Sequence, residues 1–131
     1  MSETGSNAEA SRTQGVTGSC HCGAVSFALT QMPEKLVDCN CSVCRRLGAL
    51  WGHVPIDTVE VSGGATIAYT RDDRNLAFHT CVVCGCTTHW ENLRPDQSSH
   101  MAVNFRLVDP TVAADLRIRK FDGADSWEYL D

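Results

Sequence analysis

Three thiols within six residues, in Cys39-Asn40-Cys41-Ser42-Val43-Cys44, constrain this chain more than any other stretch. Such a loop offers three soft ligands from one short piece of backbone, and zinc held by thiolates is tetrahedral. The fourth corner decides the chemistry: closed by protein, the site is structural; left to water or substrate, it is catalytic. Five further cysteines, Cys20, Cys22, Cys81, Cys84 and Cys86, bring the total to eight. The first four form two short pairs that can close one four-thiolate site. Counting then leaves Cys86 over.

A chain of 131 residues is large enough for one core and small enough to gain from metal cross-links. We read residues 16–131 as a single domain. In a secreted protein eight cysteines imply disulfides. Residues 1–15, however, are rich in Ser, Thr, Asn and Glu, with no apolar leader segment, and read as a disordered tail. No later stretch approaches the roughly 18 apolar residues of a membrane span. The expectation is a cytoplasmic protein with reduced thiols. Sixteen acidic against eleven basic residues give a net charge of -5, which leaves no electrostatic footprint for nucleic acid. Composition says nothing of the oligomeric state.

Short β patterns fill the rest of the chain. Val25, Phe27 and Leu29 alternate at period two, as in a half-buried strand. Ser42 to Leu47 predicts one helical turn closed by Gly48, followed by a strand from Ala49 to Val54. Pro55 to Thr58 reads as a turn. Ala65–Thr70 and Leu76–Cys81 flank the polar loop Arg71–Asn75 as a hairpin that delivers Cys81-Val82-Val83-Cys84-Gly85. Cys86–Trp90, His100–Phe105 and Asp115–Phe121 complete the set. No long amphipathic helix is present, so the fold class is mainly β with at most one or two short helical turns.

The ordered motifs Gly18-Ser19-Cys20-His21-Cys22-Gly23-Ala24-Val25, Cys39-x-Cys41-x2-Cys44-Arg45 and Cys81-x2-Cys84-Gly85 resemble the glutathione-dependent formaldehyde-activating enzyme and centromere protein V family, over residues 16–108. The resemblance implies a β-tent fold of short antiparallel strands carrying two zinc ions per chain. It implies Cys20, Cys22, Cys81 and Cys84 as ligands of a structural zinc, and Cys39, Cys41 and Cys44 as ligands of a catalytic zinc. It also implies a carbon–sulfur lyase-like activity: glutathione, as co-substrate, condenses with formaldehyde to S-hydroxymethylglutathione. The sequence departs from the family pattern at Cys86, where many members carry a residue that is not a ligand. The ending Arg119 to Trp127 matches no glutathione contact.

Three thiolates on Zn2+ leave a site of net charge -1, a weaker Lewis acid than zinc on three imidazoles. Such a site suits a fourth sulfur, and a substrate thiol held there is deprotonated beside an incoming carbonyl. The expected partners are therefore a small thiol and a small aldehyde. Arg45 and Arg46 either clamp the carboxylates of glutathione or stay solvated and offset the negative site. Trp51 and His53 share a face of their strand; Trp51 can wall a pocket, and His53 is either a proton relay or a half-buried structural residue. His21 is expected to point away from the metal. His79 and His89 either donate hydrogen bonds around the last knuckle or simply pack. His100 has no assignment. Cys86 has three readings: a buried free thiol, a fourth ligand to the three-cysteine zinc, or a redox partner. A non-catalytic zinc-stabilised module that binds a protein is the competing function. A redox dithiol at Cys81/Cys84 lacks the βαβ surroundings it needs, and the spacings do not match iron–sulfur runs.

Overall fold

The computed structural model describes residues 15–71 and 74–131; most of the expected tail, residues 1–14, lies outside them. The strands are β1 (Val16–Ser19), β2 (Val25–Leu29), β3 (Leu36–Cys39), β4 (Trp51–Pro55), β5 (Val59–Gly63), β6 (Thr66–Thr70), β7 (Leu76–Cys81), β8 (Thr87–Asn92), β9 (His100–Asn104) and β10 (Ile118–Phe121). They form a three-stranded sheet in the order β1-β2-β5 and a seven-stranded sheet in the order β10-β3-β4-β9-β8-β7-β6. The mainly-β expectation holds. All pairs are antiparallel except β10 with β3, which run parallel, a pairing that alternation alone does not encode.

Among the described residues, helical content is two single α turns, α1 (Cys44–Leu47) and α2 (Pro110–Ala113), together with 3-10 turns at Ile56–Thr58 and Phe105–Leu107. Gly48 ends α1 at φ 67°, its N–H donating to the Cys44 carbonyl at 3.0 Å; a Cβ is disfavoured in that conformation. The turn α2 was not expected. Asp109 caps it by accepting from the Thr111 N–H at 2.9 Å, and Pro110 occupies its first position. Gly18 and Ser19 belong to β1, where Gly18 lies against the Phe27 ring across the β1–β2 pair.

Alternation in β2 buries Val25, Phe27 and Leu29 as predicted. The middle of the large sheet is β9, where Ala102 and Val103 have no exposed surface. Buried Asn104 ties three segments together: its side chain accepts from the Leu50 and Arg106 N–H groups and donates to the Thr87 carbonyl. A buried amide with all these partners costs little and fixes register. Among the described residues no helix is long and apolar enough to cross a membrane.

Candidate metal centres and the cavity beside them

Two groups of sulfur atoms gather at opposite kinds of place in this fold. Cys20 and Cys22 lie on the β1–β2 turn, and Cys81 and Cys84 lie at the end of β7 and in the loop beyond it. Their four Sγ atoms lie within 4.8 Å of one another. The two turns share one construction. Gly23 at φ 83° and Gly85 at φ 80° each donate an N–H to the carbonyl of the first cysteine, Cys20 or Cys81, at 3.0 Å. The Val25 N–H points at Cys20 Sγ (3.3 Å) and the Val83 N–H at Cys81 Sγ (3.4 Å). Backbone amides aimed at sulfur favour thiolate over thiol.

The second group is Cys39, Cys41 and Cys44, again within 4.8 Å, carried by the end of β3 and the start of α1. The Cys41 N–H donates to Cys39 Sγ at 3.5 Å, the Cys44 N–H to Cys41 Sγ at 3.4 Å, and the Trp51 indole N–H to Cys44 Sγ at 3.3 Å. The Cys44 thiol donates to Cys39 and, with the Cys41 N–H, pulls the Cys39 pKa down to about 6 against the opposing effect of burial. The same hydrogen bond, with burial, pushes Cys44 up. In the first group the backbone N–H groups of Cys22 and Cys86 draw Cys84 down to about 5. Each cluster thus favours the thiolate at some sulfurs, Cys39 in one and Cys84 in the other, at the expense of neighbours whose pKa rises, Cys44 and Cys22.

All eight cysteines are free, and the sulfur spacings fit a metal. Cys20 to Cys22 is 3.6 Å and Cys22 to Cys81 is 3.7 Å, close to the roughly 3.8 Å edge of a tetrahedron with zinc–sulfur bonds of about 2.3 Å. The donor set of both groups therefore suits zinc: four thiols in one, three in the other.

The three-thiol group opens onto a cavity of about 280 Å³ on one face of the seven-stranded sheet. Its floor follows from strand parity and register. Trp51 and His53 of β4, Phe78 of β7 and Trp90 of β8 point to that face. His53 and Trp90 both pair with Ala102 of β9, which lies between them, so the small residue lets the two rings meet edge-on at 5.7 Å. Trp51 and Phe78 meet at 5.9 Å. Phe121 of β10 and the following segment, with Trp127 and Tyr129, close the remaining side.

A family profile described as glutathione-dependent formaldehyde-activating enzyme matches residues 15–121. The chain belongs to this family. The matched region carries all eight cysteines of this glutathione-dependent formaldehyde-activating enzyme family member. It is also similar to a crystal structure of a Rhodobacter sphaeroides protein, with a TM-score of 0.63 at 27% identity, over 78% of this chain and 98% of that one.

The shared face of Trp51 and His53 is as expected, but His53 is not half-buried. Its residue surface is open at the cavity mouth, while partial desolvation of the ring, helped by the nearby Lys35 and His100 charges, lowers its pKa and favours the neutral imidazole. Cys86 packs with Cys20 and Cys81, at the four-thiol cluster, which removes it as fourth ligand of the other. His79 and His89 stack on each other at 4.6 Å and bond to Thr66, Glu91 and Thr88 rather than to sulfur; packing is their role. His21 is exposed and absent from both sulfur groups. Arg45 is solvated. Arg46 donates to the Ser42 carbonyl at 2.8 Å and, with Arg71, lines a second cavity of about 530 Å³. Arg71 and Phe78 border both cavities.

The sequence reading missed Trp90, Arg71, Phe121, Trp127 and Tyr129 as cavity residues. Only Phe121 and Trp127 left a signal, inside the ending Arg119 to Trp127 that matched no glutathione contact. Trp51→Phe is expected to weaken zinc at the three-thiol group roughly 10-fold by deleting the indole N–H on Cys44, with the four-thiol group unaffected. Competition against a chromophoric chelator reads both steps.

Proposed function

We propose that this chain is a carbon–sulfur lyase-like enzyme that adds a small thiol, glutathione, reversibly to a small aldehyde, formaldehyde in the family's description. Cys39, Cys41 and Cys44 would hold the zinc at which this happens, and Cys20, Cys22, Cys81 and Cys84 a second, structural zinc. Zinc on three thiolates supplies a soft position that takes a fourth sulfur and keeps it ionised. The observation that carries the reading is the contrast between the two groups: the triad, among the described residues, gathers three donor atoms rather than four and lines a cavity.

The chain's own residues supply the rest. Arg71, at the border of the two cavities, and Arg46 beyond it offer guanidinium partners for the carboxylates of glutathione, so the Arg46 half of the expected pair is retained. The neutral His53 imidazole can donate a hydrogen bond to the aldehyde oxygen. One sulfur–carbon bond forms, the carbonyl π bond opens, and the proton given up by the thiol ends on the oxygen. The apolar floor of Trp51, Phe78 and Trp90 keeps competing water away.

Calorimetric titration of the zinc-loaded chain with glutathione tests this. Saturable binding that other thiols compete for is expected. Cys44→Ser should abolish it while the melting curve stays cooperative. No heat and no competition overturns the enzymatic reading, and collapse of Cys44→Ser favours the non-catalytic module.

A further inference from the structure

We infer that the aldehyde this site takes is an aromatic one, a single ring on a short stem, and that Trp127 is the residue that selects it. The inference rests on the thiol-addition reading above and concerns the other reactant.

Size is the first argument. Formaldehyde has two heavy atoms, little more than a water molecule, whose share of liquid volume is about 30 Å³. The cavity beside the three thiols measures about 280 Å³, and an apolar cavity of roughly 150 Å³ already holds benzene. The cavity is nearly twice that size, which leaves volume for the sulfur end of the thiol beside a ring. Lining is the second. Trp51, Phe78, Trp90, Phe121, Trp127 and Tyr129 contribute six aromatic side chains, and away from the three thiols Arg71 is the one formally charged side chain of the wall among the described residues. Rings in edge-to-face or offset arrangements prefer another ring as their neighbour.

The segment after the family match is the third argument. Residues 122–131 fold back over the three-thiol group and are held there at several points. Asn40, between two of the cysteines, donates to Asp122 at 3.0 Å and accepts from the Ala124 N–H at 3.0 Å. Asp122 accepts from the Ser126 N–H and hydroxyl, and the Trp127 N–H donates to the Asp122 carbonyl at 2.7 Å. Arg119 lies 4.1 Å over the Tyr129 ring and pairs with Asp131 at 3.2 Å. This scaffold holds Trp127 at φ 60° with 67% of its surface exposed. A bulky residue in the left-handed region is an outlier, and such outliers persist where the surroundings over-determine them, commonly at ligand clamps. The ring gains little burial in return: its one ring neighbour among the described residues is Phe121, edge-on at 5.1 Å, and it also lines the cavity. A flat guest seated there would supply the missing contact.

The test uses the zinc-loaded full chain and two unreactive thioethers that imitate the adduct, S-benzylglutathione and S-methylglutathione, in calorimetry. The benzyl compound is expected to bind roughly 10- to 100-fold more tightly, the value of burying one ring. Trp127→Ala should remove most of that ratio, and Trp127→Phe should keep part of it. Glutathione itself is titrated first. If it does not bind, the thiol reading fails and this inference with it; if it binds while the two thioethers bind equally, the aromatic inference alone is overturned.

Discussion

Cys81→Ser, or removal of metal by excess chelator, is expected to abolish the cooperative unfolding transition of this chain. The four-thiol group joins the β1–β2 turn to the end of β7, a separation of 59 residues between Cys22 and Cys81, and so links the three-stranded sheet to the seven-stranded one. Little else does so locally. The buried residues around it are Cys20, Val25 and Cys81, with Ala24, Cys84 and Cys86 packed against them, and half of these are proposed ligands. Structural zinc contributes about 10–16 kcal/mol in small domains, against a total stability of about 5–15 kcal/mol for an ordinary domain. Ser in place of Cys81, itself buried, leaves three thiol ligands for the ion. Circular dichroism melts with parallel metal analysis check this: a chain shown to be metal-free that still melts cooperatively at its original midpoint would sink the proposal that this zinc holds the fold.

The same cluster marks how far the sequence can be read. Cys-x-Cys-Gly and Cys-x2-Cys-Gly foretell both knuckles because glycine is required where the backbone turns left-handed to aim amides at sulfur, and Gly23 and Gly85 do so. The hairpin β6–β7 and the α1 turn were legible for similar local reasons. What was not legible depends on register between distant strands. That Ala102 separates His53 from Trp90 follows from pairing across β4, β9 and β8, which no window of sequence contains. The position of Cys86 was equally hidden, since two residues beyond a ligand a side chain can turn to either side of a knuckle. The parallel β10–β3 pair hid the most: it brings residues 121–129 over Cys39 and Cys41 from the far end of the chain. Periodicity reports which face of a strand is apolar and says nothing of which strand lies beside it.

That parallel pair is also where a single substitution should do most to the three-thiol site. A Cβ built on Gly123 would lie 2.7 Å from Cys39 Sγ and 3.2 Å from Cys41 Cβ, closer than side-chain atoms normally approach, and the Gly123 N–H donates to Cys39. Gly123→Val adds two methyl groups to that clash. Overpacking costs of about 1–3 kcal/mol, together with a displaced N–H donor to a ligand, predict zinc affinity at this group lowered about 100-fold or more, while the four-thiol group keeps its ion. Gly123→Ala should show about a tenth of that effect. A chain ending at Phe121 separates pushing from mere loss of the segment: it forfeits the N–H donor but lifts the clash, so it should retain more affinity than Gly123→Val. Chelator competition on the three variants orders them. If Gly123→Val holds zinc as tightly as the parent chain, the segment swings away freely, and the close packing of residues 122–131 on the cysteines has no energetic weight.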